Sequence, residues 1–479
     1  MRKRWKRFGV ALLVVLAAGA AWFALPEELF WPELRVAGVG PPVPIRIGEN
    51  VQISKPHDQF PFDECVAAAD PNRPNRLFAA SMYWPHGDGQ SIAGYLSDDG
   101  GATWVASLNP IADRPTKERL NDPTAAFGPA GELYFAHMRY EHAKADELGG
   151  RFIGTDGAGA LDWLRLPAGG TTAWETTGRI ARVIDRPWLA VDHSRGPHRG
   201  TIHCAASVSA PHWIRSADGG RTFDFPPLSA DSRVTPVPAQ PVVLGDGTVL
   251  TAFRCLRDGQ HVASKLRFQV FTSTDGGRTT RRAAAVGSLW KHPRHESNLG
   301  SLAGIECPQL AVDPGSGAFA DRLYCVWSES VGQRRESQRV ILSRSCDRGG
   351  TWTDPVILSE HTLDPLQPDY AAFMPCVAVN KDGAVAVSWY DRRGMLPVPP
   401  PPGGPRGWNV RLRVSLDGGE TWAPSVQVNS APAVGPVEVG HTAGLVADAG
   451  GRFHPVWIDD RTGKGQVWTA TVEVGDVSK

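Results

Sequence analysis

Past the first sixty residues, apolar and polar positions alternate in a recurring order: a short apolar strand, a polar turn, then a second strand ending in aromatic and charged residues. Two of the opening strands read Pro187-Trp188-Leu189-Ala190-Val191-Asp192 and Pro308-Gln309-Leu310-Ala311-Val312-Asp313. Second strands include Leu323-Tyr324-Cys325-Val326-Trp327 and Val385-Ala386-Val387-Ser388-Trp389-Tyr390. Copies begin near Cys65, Asp122, Arg186, Gln240, Cys307, Pro375 and Thr442. Self-similarity at such a period marks a fold built from one repeated supersecondary unit.

An octapeptide, Ser-x-Asp-x-Gly-x-Thr-aromatic, accompanies the repeat. It runs from Ser97 to Trp104, from Ser216 to Phe223, from Ser345 to Trp352 and from Ser415 to Trp422. A fifth copy, Ser273 to Thr280, has Thr280 in the aromatic place, and a further unit carries a decayed box near Thr155-Asp156-Gly157. The chemistry suits a tight hairpin: the carboxylate accepts backbone N–H groups across the turn, and glycine supplies positive φ. The closing tryptophans, Trp104, Trp352 and Trp422, are expected between sheets. These loops have too few oxygen ligands for a calcium site, and no metal or other cofactor is expected.

The pattern predicts an all-β chain: a β-propeller of four-stranded antiparallel blades, each box lying between third and fourth strands. Seven blades are the first reading, and six the alternative if two units share a sheet. The last copy ends at Val472-Glu473-Val474, one strand short, so residues 43–54 are expected to supply that strand and close the ring. Closure of this kind removes most sheet edges. The propeller domain is therefore placed at 43–475, after a linker at 27–42.

Residues 1–26 form a different region. A basic head, Arg2-Lys3-Arg4-Trp5-Lys6-Arg7, precedes an apolar run over residues 8–25 closed by Pro26. That is the pattern of an export signal or a hydrophobic anchor helix, with the positive end kept in the cytoplasm. Ala18-Gly19-Ala20 offers a cleavage site for the first alternative. Either way the bulk of the chain is expected outside the cytoplasm, touching a membrane through this segment only. Equal numbers of basic and acidic residues, 50 each, argue against a nucleic-acid partner. Seven cysteines is an odd number, so at least one is unpaired within the chain.

The octapeptides at these spacings resemble the Asp boxes of the sialidase superfamily, the BNR-repeat proteins, over roughly residues 60 to 475. Asp185-Arg186-Pro187-Trp188 and Trp389-Tyr390-Asp391-Arg392-Arg393 are similar to segments of bacterial sialidase-like proteins. The chain departs from the family's Arg-Ile-Pro motif ahead of the first box: the nearest match, Arg46-Ile47-Gly48, lacks the proline and sits too far upstream.

In a propeller, the loops entering each innermost strand and those following each second strand meet at one channel mouth. Glu64, Asp122, Asp185, Arg186, Gln240, Glu306 and His441 enter there, and Arg139, Glu141, Arg254 and Glu329 follow second strands. The family mechanism implies three arginines gripping a substrate carboxylate, a tyrosine nucleophile with a glutamate base, and a separate acid. Carried onto this chain, the resemblance implies Arg186, Arg254 and Arg393 as the clamp. Tyr390 is then the nucleophile, Glu306 its base and Asp122 the proton donor. The function so implied is an exported glycoside hydrolase acting on anionic, sialic-acid-type glycans. The alternative is a non-catalytic propeller that binds glycans or proteins at the cell surface.

Overall fold

The computed structural model describes residues 34–86, 89–109, 118–141, 159–181, 185–207, 211–228, 237–256, 265–290, 307–315, 317–330, 338–360, 372–393, 407–433 and 439–475. Among them every regular element is a strand or a single turn of 3-10 helix, and none is a helix long and apolar enough to cross a membrane. The hydrophobic segment expected to be helical, with its signal or anchor role, lies outside the described residues, as does the decayed box at 155–157.

From Val36 onward the chain is one compact unit; its described residues form seven antiparallel blade sheets and one short parallel pair, Gly38–Val39 with Thr421–Trp422. Blade 1 is Phe62–Ala69, Leu77–His86, Gly89–Ser97 and Val105–Leu108, each strand pairing with the next. Blade 2 repeats that order with Glu118–Phe127, Leu133–Glu141, Gly159–Leu166 and Glu175–Ile180. Blade 3 has Asp185–Val191, Ile202–Ser207 and Pro211–Ser216, and an isolated bridge from Arg215 to Asp224 stands in place of its fourth strand. The remaining first strands are Val242–Val243, Gln309–Val312, Ala372–Val379 and Gly444–Ala447. Successive first strands touch all the way round, from blade 1 to blade 7 and back to blade 1, so the ring is closed and has seven blades.

The closing strand comes from the expected place. Val51–Gln52 pairs with Thr469 and Trp468 as the fourth strand of blade 7, and Ile45–Ile47 pairs with Val472–Val474. Because the segment at residues 45–52 leads directly into the first strand of blade 1, it ties the last blade to the first.

Five Ser-x-Asp turns share one hydrogen-bond pattern on the face opposite the mouth. In the last copy Asp417 Oδ1 accepts the N–H groups of Glu420 and Thr421 at 3.0 and 2.9 Å, Thr421 Oγ1 donates to Asp417 Oδ2 at 2.6 Å, and Gly419 N–H donates to Ser415 Oγ at 2.8 Å. Gly418 and Gly419 both have positive φ, 72° and 84°. In the copy starting at Ser345, Arg348 takes the first of these places at φ 62° and forms ion pairs with Asp246 and Asp321. The fifth copy, lacking the aromatic, keeps the whole turn around Asp275. Of the three tryptophans expected between sheets, only Trp422 is fully buried. Trp104 and Trp352 are half-buried, whereas Trp422 is covered by Gly38–Val39, which pairs with Thr421–Trp422, and by Ala37.

Candidate functional site at the channel mouth

The entries to four of the innermost strands leave regular strand geometry. Glu64, Asp122, Arg186 and Met374 all lie in the left-handed region, at φ 49°, 51°, 52° and 50°. Each sits at a register shift against the second strand of its blade. Three of them precede a proline, Pro123, Pro187 or Pro375, which has no N–H to give to the ladder, so a bulge forms there. Non-glycine residues in this conformation carry a backbone cost that clusters at functional sites. Three of the four also carry charge.

The bulges of blades 1, 2 and 3, with blade 7, assemble one cluster. Glu64 Oε1 lies 3.0 Å from His441 Nδ1. Gly440, at φ 69°, lets the glutamate in, since a Cβ there would stand 1.9 Å from Glu64 Cγ. Asp122 Oδ2 accepts the backbone N–H of Arg186 at 2.8 Å, and Asp185 stands immediately before Arg186 in the chain. Arg186 Nε stands 4.0 Å from Asp185 Oδ2.

The cluster shifts the affinity of each member for protons. Burial and the Asp122 charge raise Asp185 to about 7, against the pull of Arg186. Burial and the Glu64 charge raise Asp122 as well. Burial disfavours the charged form of His441, but Glu64 outweighs that and raises it. Arg254 is lowered to about 10 by burial, with the Arg186 charge acting in the same direction and Cys307 against it. Tyr140 is raised by burial and by the charges of Asp122, Asp185 and Glu64, with Arg119 opposing. Nine side chains from six blades thus feel one another at a single mouth.

Glu64, Asp122 and His441 bring one donor atom each within 4.8 Å of one another. The Arg186 charge bears on the same group and disfavours a cation there, so we assign this group no metal. Beneath the mouth the channel narrows to a cavity of about 60 Å³, with Thr124, Trp188, Gln240, Gln309 and Cys376 in its wall.

Of the residues expected to act together, Asp122, Arg186 and Arg254 do meet here. Tyr390 does not. Its ring is fully buried between blades 6 and 7, stacked on Phe373, and its oxygen accepts the Ile458 N–H at 2.8 Å. Burial raises it far above an ordinary phenol. A tyrosine so placed is a packing residue, and its assignment as nucleophile is corrected accordingly. Arg393 is corrected too. It lies 3.1 Å from Glu360 and 3.2 Å from Asp391, while Trp389 Nε1 donates to the same Asp391 oxygen at 2.8 Å. Blade 7 repeats this clasp with Trp457, Asp459 and Arg461, so the Trp-x-Asp-x-Arg spacing is a device of blade construction. Glu306 lies outside the described residues. Asp185, Glu64 and His441 were legible as mouth residues without a role. Tyr140 was not, although strand alternation gives the signal, since neighbouring Arg139 turns away to Asp162 at 3.0 Å. Cys65, Cys204, Cys307, Cys325, Cys346 and Cys376 are free thiols.

No protein-family model and no curated protein matches this sequence. Among solved structures it is similar to a protein of unknown function from Dyadobacter fermentans, at 14% identity and a TM-score of 0.50 over 90% of this chain and 99% of that one. The Hadza microbial sialidase Hz136 is similar at 15% identity and a TM-score of 0.44, over 89% of this chain and 68% of the other. Trypanosoma rangeli sialidase in complex with the inhibitor DANA is similar at 12% and 0.43, this chain covering 55% of its length. The propeller expected from the repeats is the fold found, and at such identities the likeness speaks for the fold alone.

Proposed function

We propose that this chain is an exported glycoside hydrolase acting on glycans that carry an anionic sugar. The observation that carries this reading is the juxtaposition of Arg186 and Arg254 with the Asp122–Asp185 pair at the channel mouth. Two guanidiniums held near each other out of bulk water are best neutralised by a ligand anion, and Arg suits a carboxylate through its fork of donors. An acid that keeps its proton near neutral pH is what a glycosidic leaving oxygen requires. Tyr140, whose phenol feels the charges of Asp122, Asp185 and Glu64, takes the place of Tyr390 as candidate nucleophile. Export rests on the basic head and apolar run at residues 2–25.

The test is hydrolysis of a fluorogenic sialoside against a neutral-sugar counterpart. Turnover of the anionic substrate only is expected. Tyr140→Phe should abolish it with glycan binding retained, Arg186→Lys should weaken binding, and Tyr390→Phe should keep turnover. Turnover that survives Tyr140→Phe, or cleavage of the neutral sugar equally well, sinks the proposal. A second reading, an anionic-glycan binding module, is favoured by Glu64 being tied to His441 and by the Tyr140 proton being held more tightly than in a free phenol. Binding without turnover in the same assay would establish it.

A further inference from the structure

Three contacts bind the entry of blade 7 to the bulge that opens blade 1. The Glu64 N–H donates to the Val439 carbonyl at 3.2 Å. Gly440, with its positive φ, leaves the room that the glutamate side chain fills. His441 Nδ1 then meets Glu64 Oε1 at 3.0 Å. The other oxygen of that carboxylate, Oε2, is buried and has no hydrogen-bond partner among the described residues. An Asp122 oxygen lies within 4.8 Å of both groups, so His441 stands against two acids at once. A buried carboxylate beside Arg186 repels an approaching anion unless a cation offsets it. The His441 side chain is 20% exposed against 6% for Glu64, so the histidine is the member of the clasp that exchanges protons with water.

We infer that His441 is a specificity-determining residue of the mouth: as an imidazolium it offsets Glu64 and lets Arg186 take an anion, and as a neutral ring it leaves a charge that turns the anion away. The effect on ligands rests on the anionic-glycan reading; the clasp itself does not. Nδ1 keeps its hydrogen toward Glu64, so the proton gained from water or returned to it is carried on Nε2. Burial works against the charged ring, but Glu64 outweighs it and raises His441, so the mouth accepts anions at and below neutral pH and rejects them as pH rises. Toward His441 face Glu64 of blade 1, Asp122 of blade 2, and Asp185 and Arg186 of blade 3. Cys65 of blade 1 and Cys376 of blade 6 lie 4.0 and 3.2 Å from the carbonyls of Thr442 and Ala443, next along the chain, and burial keeps both thiols protonated. Arg119 and Tyr140 of blade 2, Arg254 of blade 4 and Cys307 of blade 5 complete the balance around Arg186 and the acids. Among these, Asp185, raised to about 7, also ionises near neutral pH, and its share has to be separated.

The experiment is calorimetric binding to the full chain of a thio-linked methyl sialoside, which resists hydrolysis, and of its uncharged methyl ester, read beside a carbon-13 titration of the histidine rings. One ring titrating above the ordinary midpoint of about 6.5 is expected, and it should be missing from His441→Asn. Asparagine can still donate to Glu64 from the place of Nδ1 but carries no charge. At about pH 6, below the ordinary histidine midpoint, the variant should bind the acid about tenfold more weakly than the parent. At about pH 9, where the parent ring is neutral too, the two should agree. The ester should bind both chains alike at either pH. Asp185 is present in both, so any fall in affinity that the two chains share belongs to it. Equal binding of the acid by parent and variant at the lower pH, or an equal loss for acid and ester, overturns the inference. Should His441→Asn not fold, Glu64→Gln decides: the histidine midpoint should drop and the acid should keep its affinity to higher pH, and an unchanged midpoint overturns the clasp. A parent that shows the raised ring yet binds neither acid nor ester keeps the clasp and removes the anionic-glycan reading, and the selectivity with it.

Discussion

The two ends of the propeller use the same side chain in opposite ways. On the turn face, Asp218 and Asp275 are slightly buried, which works against their charge, yet hydrogen bonds from Thr222 or Thr279 and nearby N–H groups hold them down at about 2. At the mouth, Asp185 is raised to about 7 by burial and by Asp122. Donors surround the first kind and another acceptor faces the second. A carboxylate among donors is a structural acceptor, content to stay ionised, whereas a carboxyl facing a carboxyl stores a proton. Stability is invested at one end, and chemistry is poised at the other.

The largest effect that would break this contrast is on the turn face. Trp422 closes its turn and is fully buried against Tyr324, Trp389 and their neighbours. Trp422→Ala should cost about 3–5 kcal/mol, measured by denaturant unfolding. Trp352→Ala should cost clearly less, because Trp352 is only half-buried, and Tyr140→Phe at the mouth should cost little. A mouth substitution as damaging as Trp422→Ala would show that the two ends do not divide their roles in this way.

The same division explains what the sequence made legible. Each turn is complete within eight consecutive residues, from Ser415 to Trp422 for example, so the pattern, its glycines and its acceptor could be read directly. The repeats also located the closing strand, since an antiparallel partner for Val472–Val474 had to come from the chain's other end. The mouth is assembled from Glu64, Asp122, Asp185, Arg186, Arg254 and His441, which only ring closure unites. Residue type misled where a blade device and a site look alike. The Trp-Tyr-Asp-Arg-Arg run supplies a buried tyrosine and an ion-paired arginine, and the family's chemistry could be drawn onto it without those side chains reaching the mouth. Tyr140 lies between two charged residues, Arg139 and Glu141, which carry the stronger signal in the sequence.

A middle-sized effect sharpens the contrast. Asp417→Ala strands the N–H groups of Glu420 and Thr421 and the hydroxyls of Ser415 and Thr421. It should cost about 2 kcal/mol, seen as a lower denaturation midpoint at unchanged slope. Asp122→Asn should leave the chain as stable at neutral pH, or more so, because it removes a charge facing Glu64 and Asp185. If both substitutions destabilise alike, the mouth aspartate is as structural as those in the turns.

The smallest effect is the pH dependence of stability, where the two ends pull in opposite directions. The turn carboxylates have folded values below the unfolded value of about 3.9. Their contribution is therefore present above pH 4 and lost as pH falls toward the folded value of about 2. Asp185 is raised, so its contribution is present below about pH 3.9 and lost as pH rises to about 7. His441 is raised as well, and its contribution disappears only above its unfolded value of about 6.5. Asp185 loses its contribution as pH rises, with Asp122 and Glu329 raised as well, so the parent's Tm should drift down between pH 4 and 6. Because the Asp185 side chain is half exposed, water weakens its share, which should be on the order of 1 °C. Asp185→Asn should reduce the drift while leaving the acid-side fall below pH 4 in place, since that fall belongs to the turns. Parallel Tm profiles for parent and variant between pH 4 and 6, measured by calorimetry, would mean that Asp185 already ionises like a surface carboxylate. The opposition between the two faces would then lose its mouth half.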